Sequence, residues 1–375
     1  MKSFFFRVYA CIFSVFKLLG IKEDSVVFIS VHNASFSDSF GSIEYQANLR
    51  LFSIYKLNRT DLNLSYKSFV GFIKSALRAT SFFTKGAYRL ARAKYVFLND
   101  NFMPLAFVSF NRNTVVTQLW HGQGAFKKFG HDIAQTAKIR RMEKAVNEKL
   151  SYVICSSESV APIYASAFNM PKNRVLPLGS PHADYFFNMQ DADGIRQRFD
   201  THYKNCIGKK LALYAPTFRD EMHLDQKLLT NIDVHRIKKA LGEEYELLIR
   251  LHPQIRRSDI KIDRAVDVSD YDSVNELCLL CDLLITDYSS ICMEFSIQNK
   301  PMVFYAFDLE DYESKRSFYF EYENYVPGKI AKTLDELEQA LRNKDFEEWK
   351  NEEFKKINFR FLDNCSGERI AKFIF

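Results

Sequence analysis

Short β-branched and aromatic runs alternate with segments of helical periodicity along most of the chain. SVVFIS (25–30), AKYVFLND (93–100), NTVVTQLW (113–120), SYVICSS (151–157) and VLPLGSP (175–181) predict strands in the first half. KLALYAPT (210–217), YELLIRLHP (245–253), DLLITD (282–287) and PMVFYA (301–306) restart the pattern in the second. Helical stretches fall between them, among them SESVAPIYASAF, LLTNIDVHRIKKALG, SVNELCLLC and SSICMEFSIQNK, and TLDELEQALRN and the C-terminal segment read as helices too. This alternation predicts parallel sheets with helices on both faces. The restart predicts two Rossmann-like α/β domains, residues 21–195 and 196–375, with DADGIRQRFDTHYKN as a helix and linker and a cleft between the domains. Ligands of open α/β sheets sit at the carboxyl ends of strands.

Residues 1–20, MKSFFFRVYACIFSVFKLLG, set Ser3, Arg7, Ser14 and Lys17 on one helical face and Phe4, Phe5, Val8, Ile12, Phe13, Val15, Phe16 and Leu19 around the rest. No apolar run is long enough to span a bilayer and no A-x-A-like cleavage site follows. The segment reads as an amphipathic helix lying in a membrane interface, with a buried terminal helix as the alternative. Between residues 56 and 94 the charge is almost all basic, with Asp61 the lone acid. Lys67, Lys74, Arg78, Lys85, Arg89 and Arg92 fall on a stripe about 60° wide at helical spacing, opposite Phe69, Phe72, Ile73, Phe83 and Leu90. Gly71 and Gly86 leave open one helix or two. An anionic membrane surface is the expected partner of Phe4, Phe5, Arg7, Lys17, Lys74, Arg78, Lys85 and Arg89; a solvated face above a core is the alternative.

Composition narrows the class. The chain has 375 residues, 47% hydrophobic and 26% charged, enough for two globular cores. Seven cysteines without framework spacing indicate a reducing compartment. Cys278 and Cys281 form a CxxC without a second ligand pair, so buried thiols are expected and no metal. Asp191 and Asp193 read as an acidic surface turn. The net charge of +6 is modest, and no nucleic-acid-binding module is recognisable.

Candidate chemistry gathers where strands end. TQLWHGQGAFKKFG (117–130) offers His121 as a proton carrier, Gly122, Gln123 and Gly124 as a loop permitting close approach, and Lys127 and Lys128 as anion handles. LYAPTFRD places Thr217 and Arg219 after a strand, LLIRLHP places Arg250, His252 and Pro253, and LLITDYSS places Asp287, Ser289 and Ser290 at a helix start. Arginines, hydroxyls and a helix N-terminus suit phosphates, and Glu294, one turn on, suits ribose hydroxyls. Each piece has a plain structural alternative: capping for the serines, packing for His252, an ion pair for Arg250.

The WHGQGAFKKFG, APTFRD, RLHP and ITDYSSICMEF segments, with KPMVFYAFDLEDY (300–312) and DNCSGER (363–369), resemble the CDP-glycerol glycerophosphotransferase family from about Val26 to the C-terminus. The resemblance implies a GT-B fold and transfer of a polyol phosphate from CDP-glycerol or CDP-ribitol, with release of CMP and no further cofactor. It implies an undecaprenyl-diphosphate-linked glycan or growing teichoic acid or capsule chain as acceptor, and peripheral attachment to the cytoplasmic face of the bacterial membrane. It makes His121 the catalytic base, with His252, Arg250, Ser289 and Ser290 on the donor's phosphates, Glu294 on its ribose, and Thr217 and Arg219 in the same nucleotide site. His121 is then expected to face that site across the cleft. The family often has Thr where Gln123 stands, and an arginine where the Gly179-Ser-Pro-His182-Ala-Asp184 stretch has His182, so no phosphate role is carried to residue 182. The absence of an extra N-terminal region points to a compact primase-like or capsule enzyme. Two other classes use the same residues: a GT-B sugar-nucleotide glycosyltransferase, and a non-catalytic nucleotide-binding subunit of a polysaccharide assembly complex.

Overall fold

In the computed structural model two six-stranded sheets form, every described pairing parallel. The structure describes the chain except residues 1, 32–36, 64–67, 189–190, 220–227, 229–231, 253–254, 256–261 and 263. Lys67, Pro253 and most of the polar loop after the first strand therefore lie outside the described residues. The first sheet contains β1 (Lys22–Ser30), β2 (Ser53–Asn58), β3 (Ala93–Leu98), β4 (Val115–Gln118), β5 (Tyr152–Ile154) and β6 (Val175–Leu176), ordered β2-β1-β3-β4-β5-β6. The second contains β7 (Lys210–Ala215), β8 (Tyr245–Ile249), β9 (Val266–Asp267), β10 (Leu283–Thr286), β11 (Met302–Tyr305) and β12 (Lys329–Ala331), ordered β12-β11-β10-β7-β8-β9. Strands buried on both faces explain the unbroken apolar runs: Val26 to Ile29 in β1 and Leu211 to Tyr214 in β7 are all buried.

Strand order fixes where ligands fit. In the first sheet the winding reverses between β1 and β3, and in the second between β7 and β10. Helices leave opposite faces on either side of such a switch, so the carboxyl ends of those strands stay uncovered.

The chain divides into two compact units, Met1–Phe187 with Asn358–Phe375, and Asn188–Ile357. The C-terminal segment thus packs with the first half, whereas a linear division of the sequence assigns it to the second. Ile370 and Ile374 of the Ser366–Ile374 helix enter a core with Val26, Phe28, Phe40 and Phe97. Buried Asp184 accepts hydrogen bonds from the Ser366 and Gly367 amides at 3.1 and 2.8 Å, taking the unpaired donors of that helix's first turn. Gly179, at φ +102°, faces Ser366; a Cβ there would lie 2.6 Å from its Oγ. The GSPHAD and DNCSGER stretches are therefore two sides of one joint.

The N-terminal helix, Lys2–Lys17, buries Tyr9 and Phe13 against Phe82, Phe102 and Phe110, while Phe4, Phe5, Val15, Leu18 and Leu19 at and beyond its outer face stay exposed. It is half core and half surface: the inner face fits the reading as a buried terminal helix, and the outer face is exposed. The segment from Phe69 to Ala91 runs on as one helix through a π-helical turn at Phe82–Gly86. Gly86 sits where a Cβ would come 2.8 Å from Leu57 of β2. The extra residue of a π turn rotates the later helical turns by ~100°, so Lys85 and Arg89 leave the line of Lys74 and Arg78. The single basic stripe becomes two offset patches. Phe69, Val70 and Leu77 are more than half exposed rather than turned into a core.

Candidate active site

Two clusters form, one on each unit. In the first unit, β3 and β4 are neighbours, so the residues just beyond their ends meet. The Gln118 side-chain amide donates to the Asp100 carbonyl (3.2 Å) and its oxygen accepts from the Trp120 amide (2.9 Å). Trp120 takes φ +61°, a left-handed conformation costly for a bulky residue, and its ring stacks on Phe129 at 5.0 Å. That turn carries His121 toward Asp100, Nδ1 lying 3.8 Å from Oδ2, with about a third of the imidazole exposed. At that separation the two make a charge contact rather than a hydrogen bond, so the carboxylate can orient the imidazole without fixing its tautomer. No sequence motif singles out Asp100; its one signal is an acid just past a strand's carboxyl end.

The loop after His121 is held from within. Gly124, at φ +60°, donates its amide to Ser156 Oγ (3.1 Å), and the Ala125 amide donates to Asn358 Oδ1 (3.1 Å). Tyr164 donates its hydroxyl to the carbonyls of Gly122 and Gly124 at 2.9 and 3.1 Å. Gln123 and Gly124 are buried, so they shape the loop rather than open it to a substrate; Gly122 is half-exposed, Lys127 half-buried and Lys128 exposed. Beside this loop lies a pocket of about 520 Å³ whose lining includes Val31, Arg59, Asp100, Trp120 and Lys138. It therefore sits at the switch between β1 and β3.

In the second unit the cluster crosses the other switch. Thr217 follows β7, with its amide donating to Asp287 Oδ1 at 2.8 Å and its own buried hydroxyl without a hydrogen-bond partner among the described residues. Arg219 does not stand free for a phosphate. It is 6% exposed, donates to Asp308 at 2.8 and 2.9 Å and to Asp287 at 2.9 Å, and packs over Tyr288 and Tyr312. Burial alone would lower its pKa, but the Asp287 and Asp308 carboxylates raise it. Arg219 is a structural strut that joins the ends of β7, β10 and β11.

Arg250 differs. Its Nη1 donates to the Val268 and Tyr271 carbonyls (3.0 and 2.7 Å), and among the described residues no carboxylate pairs with it. Burial depresses its pKa more than nearby groups, Asp270 and Asp272 among them, raise it, so an arriving anion would add to a partial compensation. The His252 ring lies 4.6 Å from Phe218, over whose ring the Arg316 guanidinium lies at 5.0 Å. Arg316, which lies in none of the sequence motifs, adds a second cation there. Ser289 Oγ accepts from the Ile291 amide (3.4 Å), while exposed Ser290 makes no capping bond with its side chain at the start of the Ile291–Ile297 helix. Glu294 lies half-buried on that helix. Cys278 and Cys281 are fully buried and their thiols are pushed up by desolvation.

Paired parallel α/β units with polar residues gathered at strand carboxyl ends define a GT-B-like transferase frame. The chain belongs to the CDP-Glycerol:Poly(glycerophosphate) glycerophosphotransferase family, whose model matches residues 11–375. It is similar to the teichoic acid ribitol-phosphate primase of Bacillus spizizenii (strain W23), 32% identical over 391 residues, with 100% of this chain and 98% of the primase covered. A teichoic acid poly(ribitol-phosphate) polymerase of the same organism is 33% identical over 373 residues, 96% of this chain but 57% of the polymerase. Among solved structures, the wall teichoic acid polymerase TagF, a histidine-to-asparagine variant soaked with CDPG, superposes with TM-score 0.75 at 25% identity over 98% of this chain and 93% of that one.

Proposed function

We propose that the chain transfers glycerol phosphate, or a related polyol phosphate such as ribitol phosphate, from a CDP-activated donor to a hydroxyl of a lipid-linked glycan or growing polymer, releasing CMP. The observation that carries this reading is the imidazole–carboxylate pair of His121 and Asp100 at the carboxyl edge of the first sheet. His121 accepts the acceptor's hydroxyl proton as that oxygen bonds to the donor's β-phosphorus. The bridging P–O bond breaks, and its electron pair leaves on the phosphate of CMP. CMP departs as a stable anion, so the second unit's task is to hold charge. Arg250, His252, Ser289 and Ser290 serve the diphosphate, Thr217 lends its hydroxyl, and Glu294 receives the ribose. No metal or cofactor has a step in this scheme. The family description names glycerol and the two relatives above name ribitol, so relatedness alone does not choose the polyol.

Attachment to the cytoplasmic face of a bacterial membrane belongs to the same proposal. Among the described residues no helix is long and apolar enough to cross a bilayer. Exposed Phe4, Phe5, Phe69 and Leu77, with Arg7, Lys17, Lys74, Arg78, Lys85 and Arg89 nearby in sequence, suit an interface of acyl chains and anionic headgroups. The test is a product assay by mass spectrometry with CDP-glycerol, CDP-ribitol and UDP-sugars offered in parallel to a lipid-linked acceptor. CMP release with a mass gain of one polyol phosphate is expected. UDP release, or nucleotide binding without turnover, would replace the reading with one of its two rivals.

A further inference from the structure

We infer that the 520 Å³ pocket of the first unit holds the lipid-phosphate part of an amphiphilic acceptor, an inference that rests on the proposed transfer to a lipid-linked substrate. Position is the first argument. The pocket occupies the switch between β1 and β3, where an open α/β sheet leaves room for a ligand, and Asp100 and Trp120 beside His121 are part of its wall. Its other wall includes Phe6 of the N-terminal helix, whose outer face exposes Phe4 and Phe5. The pocket is thus flanked by the chain's candidate proton acceptor and by its candidate membrane helix.

Chemistry is the second argument. Apolar Ile133 and Ile139, both at least two-fifths exposed, line the pocket with Met142. Such a lining suits hydrocarbon. Arg59 and Lys138 line it too, and neither makes an ion pair among the described residues. Two acids line it as well: Glu143, which accepts from the Gln135 side-chain amide at 2.8 Å, and Asp100, 3.8 Å from His121. Two cations without an ion pair among the described residues, beside hydrocarbon surface, match a single-chain phosphate. Inorganic phosphate uses only the cations, and a neutral lipid only the hydrocarbon.

The chain has two tryptophans, Trp120 in the pocket wall and exposed Trp349 in the other unit. A Trp349→Phe protein therefore reports on Trp120 alone by its fluorescence. Decyl phosphate, kept below its micelle concentration, should give a saturable change. Decanol and inorganic phosphate at the same concentration should give at least tenfold weaker responses. Arg59→Gln with Lys138→Gln should weaken decyl phosphate binding at least tenfold, as should Ile139→Glu, with the melting temperature of each variant checked against the parent. Equal responses to inorganic phosphate would overturn the lipid part of the inference. Equal responses to decanol, or undiminished binding by the folded glutamine variant, would overturn the phosphate part. This titration needs no donor and no turnover. Saturable binding beside a failed product assay would leave the pocket and remove the transferase, and the reverse result would do the opposite.

Discussion

His121 acquires its position from residues that its own motif does not contain. Trp120 holds a left-handed backbone, a strain of about 1–3 kcal/mol, offset by stacking on Phe129 and by the Gln118 bridge to β3. The sequence advertised the histidine, because a Trp-His pair among glycines is conspicuous. It hid Asp100, which becomes a neighbour only through the β3–β4 pairing. If Asp100 acts by orienting His121, the two substitutions are not independent. His121→Ala should cost on the order of 10²–10⁴ in kcat, Asp100→Asn should cost less with the donor KM unmoved, and the double variant should be no slower than His121→Ala. Steady-state kinetics on the three proteins check this; additive losses would give Asp100 a role of its own. The thiols offer a second prediction. Burial pushes Cys155 up to about 12 and Cys206 up to about 11, so both remain protonated and unreactive at pH 8. Exposed Cys11 and half-exposed Cys365 should label first in the native protein, the other five only on unfolding, as mass spectrometry of alkylated peptides would reveal.

The second unit owes its candidate site to a buried ionic joint between strand ends. Arg219 with Asp287 and Asp308 holds the ends of β7, β10 and β11, and Tyr288 and Tyr322 donate hydroxyls to Asp308 and to the Asp287 carbonyl at 3.0 Å each. From sequence, Arg219 looked like a phosphate ligand, since an arginine after a strand says nothing of the acid on the strand beside it. Its removal leaves two carboxylates buried without a cation. Arg219→Leu should therefore cost about 3–5 kcal/mol of stability, read by urea unfolding, with donor affinity kept in the protein that remains folded. Lost donor affinity at unchanged stability would return Arg219 to the phosphates. The same blindness explains which strands escaped notice. β2, β9 and β12 are all sheet edges, two of them no longer than three residues, and their half-exposed side chains dilute the apolar pattern. The central strands, apolar on both faces, were legible as unbroken runs, and their carboxyl ends located most of the candidate site.

At the scale of the molecule, local pattern is least informative, because neither end of the chain declares where it docks. The Ser366–Ile374 helix reads as an amphipathic helix, yet nothing local says that its apolar side completes the core around β1 and β3. Gly367, where a Cβ would lie 2.5 Å from Ser42, and the Asp184 bonds to that helix's first turn lock the joint. Asp184→Ala leaves two buried amides without acceptors and should cost about 1–3 kcal/mol per unsatisfied donor, seen as a lowered Tm. The N-terminal helix poses the converse problem, since its apolar residues serve two solvents. Deleting residues 1–20 would strip Tyr9 and Phe13 from Phe82, Phe102 and Phe110, so a loss of vesicle binding by that truncation could reflect an opened core. Substitutions on the outer face separate the two roles. Phe4→Ser with Phe5→Ser removes exposed rings, so Tm should stay within a degree or two. Each ring withdrawn from the interface forfeits about 1.5–3 kcal/mol of apolar transfer, so partition onto phosphatidylglycerol vesicles should fall at least tenfold in a sedimentation assay. Tyr9→Ser should do the reverse, lowering Tm while a folded fraction still sediments with vesicles. If the outer-face variant sedimented like the parent, the exposed rings would have no membrane role and the basic patches would be left as the sole attachment.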